Sequence, residues 1–159
     1  MRWTTFALAL SLATSAAACK PSGGSGKANV EDAFRDPTDA EVTAALEAAK
    51  TQAKSEGKRV LLEFVAPWCA DCREVARLAA EEPAASVLRE KYIVVPVNVG
   101  RFDKNKALLR EHDVKLIAAL VVLDPEGKRL AKTTLEPISH KDGLTSSDLA
   151  AWLRSPRAR

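Results

Sequence analysis

The sequence predicts one α/β domain, a mixed central sheet with helices on both faces, on three observations. Apolar runs of strand length alternate with segments of helical periodicity from about residue 37 onward. Two such runs near the C-terminal end are joined by a tight turn, which makes that pair antiparallel and the sheet mixed. The length of 159 residues, 47% of them hydrophobic, suits one domain plus an N-terminal extension and leaves little room for two.

The elements follow in order. Pro37 to Lys54 reads as an amphipathic helix, with Val42, Leu46 and Ala49 spaced for one face. Arg59 to Val65 is a short, almost wholly apolar strand, as suits a central strand covered on both sides. Ala66-Pro67-Trp68 turns the chain. From Cys69 to Ala80 helix formers dominate, and Cys72, Val75, Ala76 and Ala79 recur as a buried stripe. Pro83 ends or kinks that helix. Tyr92 to Asn98 is a second strand whose Pro96 belongs near an edge or a bulge. Ala119 to Leu123 is a third, joined through Asp124-Pro125-Glu126-Gly127 to a fourth at Arg129 to Thr133. Ser146 to Leu153 closes the chain as a helix, with Ser146 or Ser147 as its expected cap.

The N-terminus reads as an address. Arg2 supplies a positive charge, and Trp3 to Ala18 is apolar apart from Ser and Thr. It falls short of the about 20 apolar residues of a comfortable membrane span and fits a secretory signal, residues 1–18. Ala16-Ala17-Ala18-Cys19 resembles the lipobox of bacterial lipoproteins, in which cleavage falls before the cysteine and the cysteine is lipidated. Ala16 departs from the Leu usual there, and ordinary cleavage after an A-x-A site is the alternative. Residues 19–30, rich in Gly and Ser, form the expected flexible linker, and ten such residues reach roughly 17–19 Å. The folded domain is then expected at 31–159, exported to the cell envelope. There it is lipid-anchored facing the periplasm through Cys19 or, in the alternative, soluble in the periplasm.

Twenty-four basic residues against 21 acidic ones, with no long basic run, argue against a nucleic-acid partner. Three cysteines exclude a disulfide-dense scaffold. With Cys19 assigned to the leader, Cys69 and Cys72 remain, spaced C-x-x-C. In an exported protein that spacing is a redox pair or a small structural loop. A zinc site would want two further ligands, and His112 and His140 are far off in sequence. The pair sits at a strand-to-helix junction, where free backbone N–H groups and the helix dipole favour the thiolate of Cys69. Cys72, three residues on, lies on the same helix face. An exposed thiolate so placed can attack a disulfide, and its neighbour can resolve the mixed disulfide that forms.

The run from Val60 through Trp68-Cys69-Ala70-Asp71-Cys72-Arg73 resembles the thioredoxin-fold thiol–disulfide oxidoreductases and their W-C-x-x-C motif. The resemblance extends over about residues 38–154, through Asn98 to Asp103, a helix at Lys104 to His112, and Leu120 to Lys128. It implies a three-layer fold and a Cys69 nucleophile with a Cys72 resolving thiol. It also implies protein disulfides or thiols as clients and chemistry that needs no cofactor or metal. Trp68 would pack beside the pair, with Ile117 and Ala118 opposite it at substrate-contacting positions.

Three residues are unusual in that frame. Glu63 is the one charge in its strand, at a place where the family commonly buries an Asp beneath the second cysteine. It is expected to be buried, raised in pKa and able to take the proton of Cys72, against a plain solvent-facing or Lys-paired role. Ala118 stands where the family has a cis-proline. A non-proline cis bond costs roughly 2.5–4 kcal/mol, so a trans bond is expected. Asp71 sets a negative charge beside Cys69 while Arg73 opposes it, a balance that leans towards a reductase supplied by a membrane electron donor. A non-catalytic binding module, and a metal-handling protein holding a soft ion between Cys69 and Cys72, are the alternatives.

Overall fold

The computed structural model describes residues 34–157. The signal and the whole linker, Cys19 included, lie outside them. Helix α1 (Asp39–Glu56) leads into strand β1 (Arg59–Val65), helices α2 (Ala70–Ala79) and α3 (Ala84–Lys91), and strand β2 (Tyr92–Asn98). Helix α4 (Lys106–Glu111), strands β3 (Ala119–Leu123) and β4 (Arg129–Thr134), a 3₁₀ turn (Glu136–Ile138) and helix α5 (Ser146–Arg154) complete the described fold. The sheet order is β2-β1-β3-β4. Strand β2 lies parallel to β1, while β3 is antiparallel to both β1 and β4, so the sheet is mixed as expected.

The central position of β1 explains its composition. Val60 to Val65 are all buried, and so is every residue of β3, because helices cover both faces. Pro96, which has no N–H to give, sits on β2, where no outer neighbour among the described residues asks for one. Helix α1 starts with a reciprocal cap: Thr38 Oγ1 accepts from the Glu41 N–H at 3.3 Å, and Glu41 Oε2 accepts from the Thr38 N–H at 2.8 Å. It ends at Gly57, whose φ of +65° only glycine adopts without cost. The apolar face read from the sequence, Val42, Leu46 and Ala49, packs inward against β2 and β1.

Helices α2, α3 and α5 pack on one another. The stripe Cys72, Val75, Ala76 and Ala79 is buried, joined by Leu78. Beyond Pro83 the chain forms α3, a helix that the sequence pattern does not predict. Ala84, Ala85, Val87 and Leu88 carry its buried face, eight residues being too few for a clear periodicity. The cap of α5 also differs from expectation: Thr145, not Ser146 or Ser147, accepts from the Asp148 N–H at 3.2 Å, and Asp148 reciprocates. Ser146 is buried instead. Its hydroxyl donates to Glu81 O at 2.9 Å and accepts from Ala84 N at 3.1 Å, tying α5 to the break between α2 and α3. Tyr92 donates to Leu153 O at 2.6 Å and fixes the far end of α5. Helix α4 is shorter than the expected 104–112, because Asn105 adopts φ +48° at its start and Asp113 adopts φ +52° beyond its end.

Candidate active site

The site grows from the C-terminal end of β1. The buried strand delivers Val65 and Ala66, and the turn at Pro67-Trp68 is closed by the Cys69 N–H donating to Ala66 O at 3.0 Å. The Arg73 guanidinium donates to Pro67 O at 2.6 Å, so its charge is tied to this turn. Cys69 is the N-cap of α2: its φ and ψ are extended, and its Sγ accepts from the Cys72 N–H at 3.1 Å. A side chain in that role meets the free N–H groups and the positive end of the helix dipole. This is the placement expected from the sequence, and negative charge on sulfur is stabilised there.

Cys69 and Cys72 are bonded to each other, with their Cα atoms 5.3 Å apart. Cys69 is 5% exposed and Cys72 is 1% exposed. The motif predicts an exposed first sulfur, whereas neighbouring residues cover most of Cys69. Among the described residues no group of three or more His, Cys, Asp or Glu side chains comes together as a metal site.

Glu63 is buried, as expected, and pairs with no lysine. Alternation along β1 turns it to the face opposite that of Phe64, whose ring meets His112 edge-on on the other side of the sheet. Glu63, Cys72, Val75, Ala76 and Ala118 line one small cavity of about 10 Å³. Burial pushes the Glu63 carboxyl up from its ordinary 4.5 to about 7, because desolvation penalises the charged form. Glu63 and Cys72 thus both line an apolar pocket just large enough for about one water.

The peptide bond between Ile117 and Ala118 is cis, not trans as expected. In isolation a non-proline bond favours trans. In the fold its position is set from both sides, by the register that pairs Ala119 with Phe64 and by the cavity wall that Ala118 forms beneath Cys72. Ala118 is buried, Ile117 is half-buried, and Leu116 beside them is 66% exposed.

Trp68 is half exposed, and its indole N–H donates to Gly100 O at 2.7 Å. That bond joins the cysteine turn to the loop after β2, to which the sequence reading gave no role. Asn98 and Asn105 build the loop. Asn98 Oδ1 accepts from the Gly100 N–H at 2.9 Å, its Nδ2 donates to Arg35 O at 3.1 Å, and Asn105 Nδ2 donates to Asn98 O at 2.8 Å. Both side chains are almost fully buried. The loop holds the Phe102 ring 6.4 Å from the Trp68 ring. Two amides spaced around a glycine were the available signal, but their pairing is visible only once the loop is closed.

A C-x-x-C pair that caps the helix after a central strand, in a mixed sheet covered on both faces, defines the thioredoxin class of fold. The chain belongs to the thioredoxin-like family, whose model matches residues 41–125. It is 28% identical over 98 residues to a protein disulfide-isomerase of Hordeum vulgare, across 62% of this chain and 17% of that protein. The chain therefore spans about a sixth of that relative's length. Among solved structures it resembles a disulphide isomerase from Xylella fastidiosa, with TM-score 0.66 and 22% identity, over 76% of this chain and 95% of that one. It also resembles the oxidised C-terminal domain of DsbD from Neisseria meningitidis, with TM-score 0.56 and 22% identity, over 78% of this chain and 98% of that one. At these identities the structures share the fold.

Proposed function

We propose that the protein is a thiol–disulfide oxidoreductase of the bacterial cell envelope that reduces disulfides in client proteins. The observation that carries this reading is the placement of Cys69 Sγ at the N-terminus of α2, bonded to Cys72 over the buried Glu63. The names of the relatives, disulfide isomerases among them, support the same chemistry.

In the reduced protein the Cys69 thiolate attacks one sulfur of a client disulfide. A mixed disulfide forms, and the client's other sulfur leaves as a thiolate. Cys72 then gives its proton to the Glu63 carboxylate, directly or through one water, and attacks Cys69 Sγ. The client's first sulfur departs as a thiolate, so the client has gained two electrons; its two thiolates take up one proton from Glu63 and one from solvent, and Cys69 and Cys72 end as the disulfide seen in the structure. A reduced dithiol on a membrane donor restores the pair by the same exchange in reverse.

The direction rests on Asp71, whose charge one residue before Cys72 opposes a thiolate and so favours the disulfide form of the pair, as in a reductant. The location rests on the leader: cleavage before Cys19 and lipidation of that cysteine would tether the domain through the linker, facing the periplasm. Equilibration of Cys69/Cys72 with glutathione tests the direction. A potential near about −270 mV is expected, and one near −120 mV would overturn the reductase assignment. Full client reduction by a Cys69→Ser variant would overturn the catalytic reading in favour of a binding module. Incorporation of labelled fatty acid into the wild type and not into Cys19→Ser tests the anchor.

A further inference from the structure

Phe102 occupies a backbone position that its side chain does not suit. Its φ is +64°, a region where bulky residues are rare and glycine is at ease. The residue is also only partly covered, with 36% of its surface exposed. The loop overrides both preferences through contacts on either side. The Arg101 N–H donates to Asp103 Oδ1 at 2.8 Å, and the Lys104 N–H donates to Val99 O at 3.3 Å. Lys104 also pairs with Asp36, and the Asn105 N–H donates to Asp39 Oδ1 at 3.0 Å. An over-determined strained residue that leaves an aromatic ring partly exposed points to a functional position.

The ring's neighbour indicates what that function is. Phe102 lies against Trp68, and Trp68 immediately precedes Cys69. A client sulfur that reaches Cys69 carries its flanking residues across these two rings. We infer that Phe102 is a specificity-determining residue: with Trp68 it forms an apolar shelf beside the reactive sulfur that selects client segments bearing a bulky apolar side chain next to the cysteine. The occupant is the client segment that carries the attacked disulfide, because Trp68, half exposed, directly precedes the residue that the client sulfur must reach. This inference rests on the disulfide-exchange reading of the site.

The test compares two peptide disulfides that differ only in the residue beside the cysteine, Leu in one and Ser in the other. Both are reduced by the full chain, with wild type, Phe102→Ala and Phe102→Gly run in parallel. The readout is the ratio of kcat/KM for the Leu peptide to that for the Ser peptide. Wild type should favour Leu, and both variants should lose about fivefold of that ratio, as expected for one apolar contact on an open surface. Phe102→Gly suits a φ of +64°, so its Tm should be no lower than that of wild type, which separates lost selectivity from lost folding. Ratios that stay at the wild-type value, whatever happens to the absolute rates, would overturn the inference and reduce Phe102 to a structural role. A wild type that prefers neither peptide would overturn it too. A wild type inert towards every disulfide would overturn the exchange reading itself.

Discussion

Replacing Glu63 with Gln keeps the buried side chain's volume and removes its titration. The Glu63 carboxyl titrates at about 7 in the fold against an ordinary 4.5, with burial as the cause. A group whose folded pKa lies above its unfolded value holds its proton more tightly when folded. Its contribution to stability is therefore fully present below pH 4.5 and is lost as pH rises through about 7. At 1.36 kcal/mol per pH unit, the interval from 4.5 to about 7 corresponds to about 3 kcal/mol. Glu63→Gln should match wild type near pH 4 to 5 and exceed it by up to about 3 kcal/mol above pH 8. Urea denaturation of the oxidised proteins at steps of about one pH unit measures the gap. Two stability curves that run parallel across the range would refute the reasoning, because the carboxyl would then titrate alike in the folded and unfolded chain. On the proposed mechanism the same variant also lacks the proton acceptor for Cys72, so its mixed disulfide with a client should resolve roughly 10²-fold more slowly. A variant that is more stable and slower at pH 8 is the joint signature of a catalytic carboxylate held at a cost in stability.

Other perturbations give equally definite outcomes. Cys72→Ser should trap the mixed disulfide between Cys69 and a client, visible on non-reducing gels, whereas Cys69→Ser should trap none. Asp71→His replaces an opposing charge with a favourable one beside the Cys69 sulfur, and should make the pair more oxidising by about 30 mV, a tenfold change in the glutathione equilibrium. Asn98→Ala strips the buried amide that holds both the Gly100 N–H and Arg35 O, and should cost about 1–3 kcal/mol by denaturation. Leu62→Ala, at a fully buried position of β1, should cost about 2–5 kcal/mol with the midpoint shifted and the slope unchanged.

Glu63 and the cysteine pair show how far one-dimensional reading reaches. A lone charge inside an otherwise apolar strand must be buried if the strand is central, and centrality follows from apolarity on both faces. The C-x-x-C at a strand-to-helix junction likewise carries its own geometry, since three residues of helix return a side chain to the same face. Pro96 on an edge strand is a statement about one missing N–H. These are local facts, and the sequence holds them.

The remainder depends on what the fold brings together. Thr145 takes the cap of α5 because Ser146 is turned inward to hold Glu81 and Ala84, some 62 to 65 residues away. The cis bond before Ala118 answers to strand register and to the wall beneath Cys72, not to the preference of an isolated amide. Phe102 reaches Trp68 only through a loop closed by Asn98 and Asn105. By itself, then, the sequence determined the class of fold, the paired cysteines at the start of a helix and the burial of Glu63, since period, spacing and burial of charge act over a few residues. Tertiary structure alone decided which surfaces face the sulfur, because those contacts join segments whose separation in the chain says nothing about their distance in space.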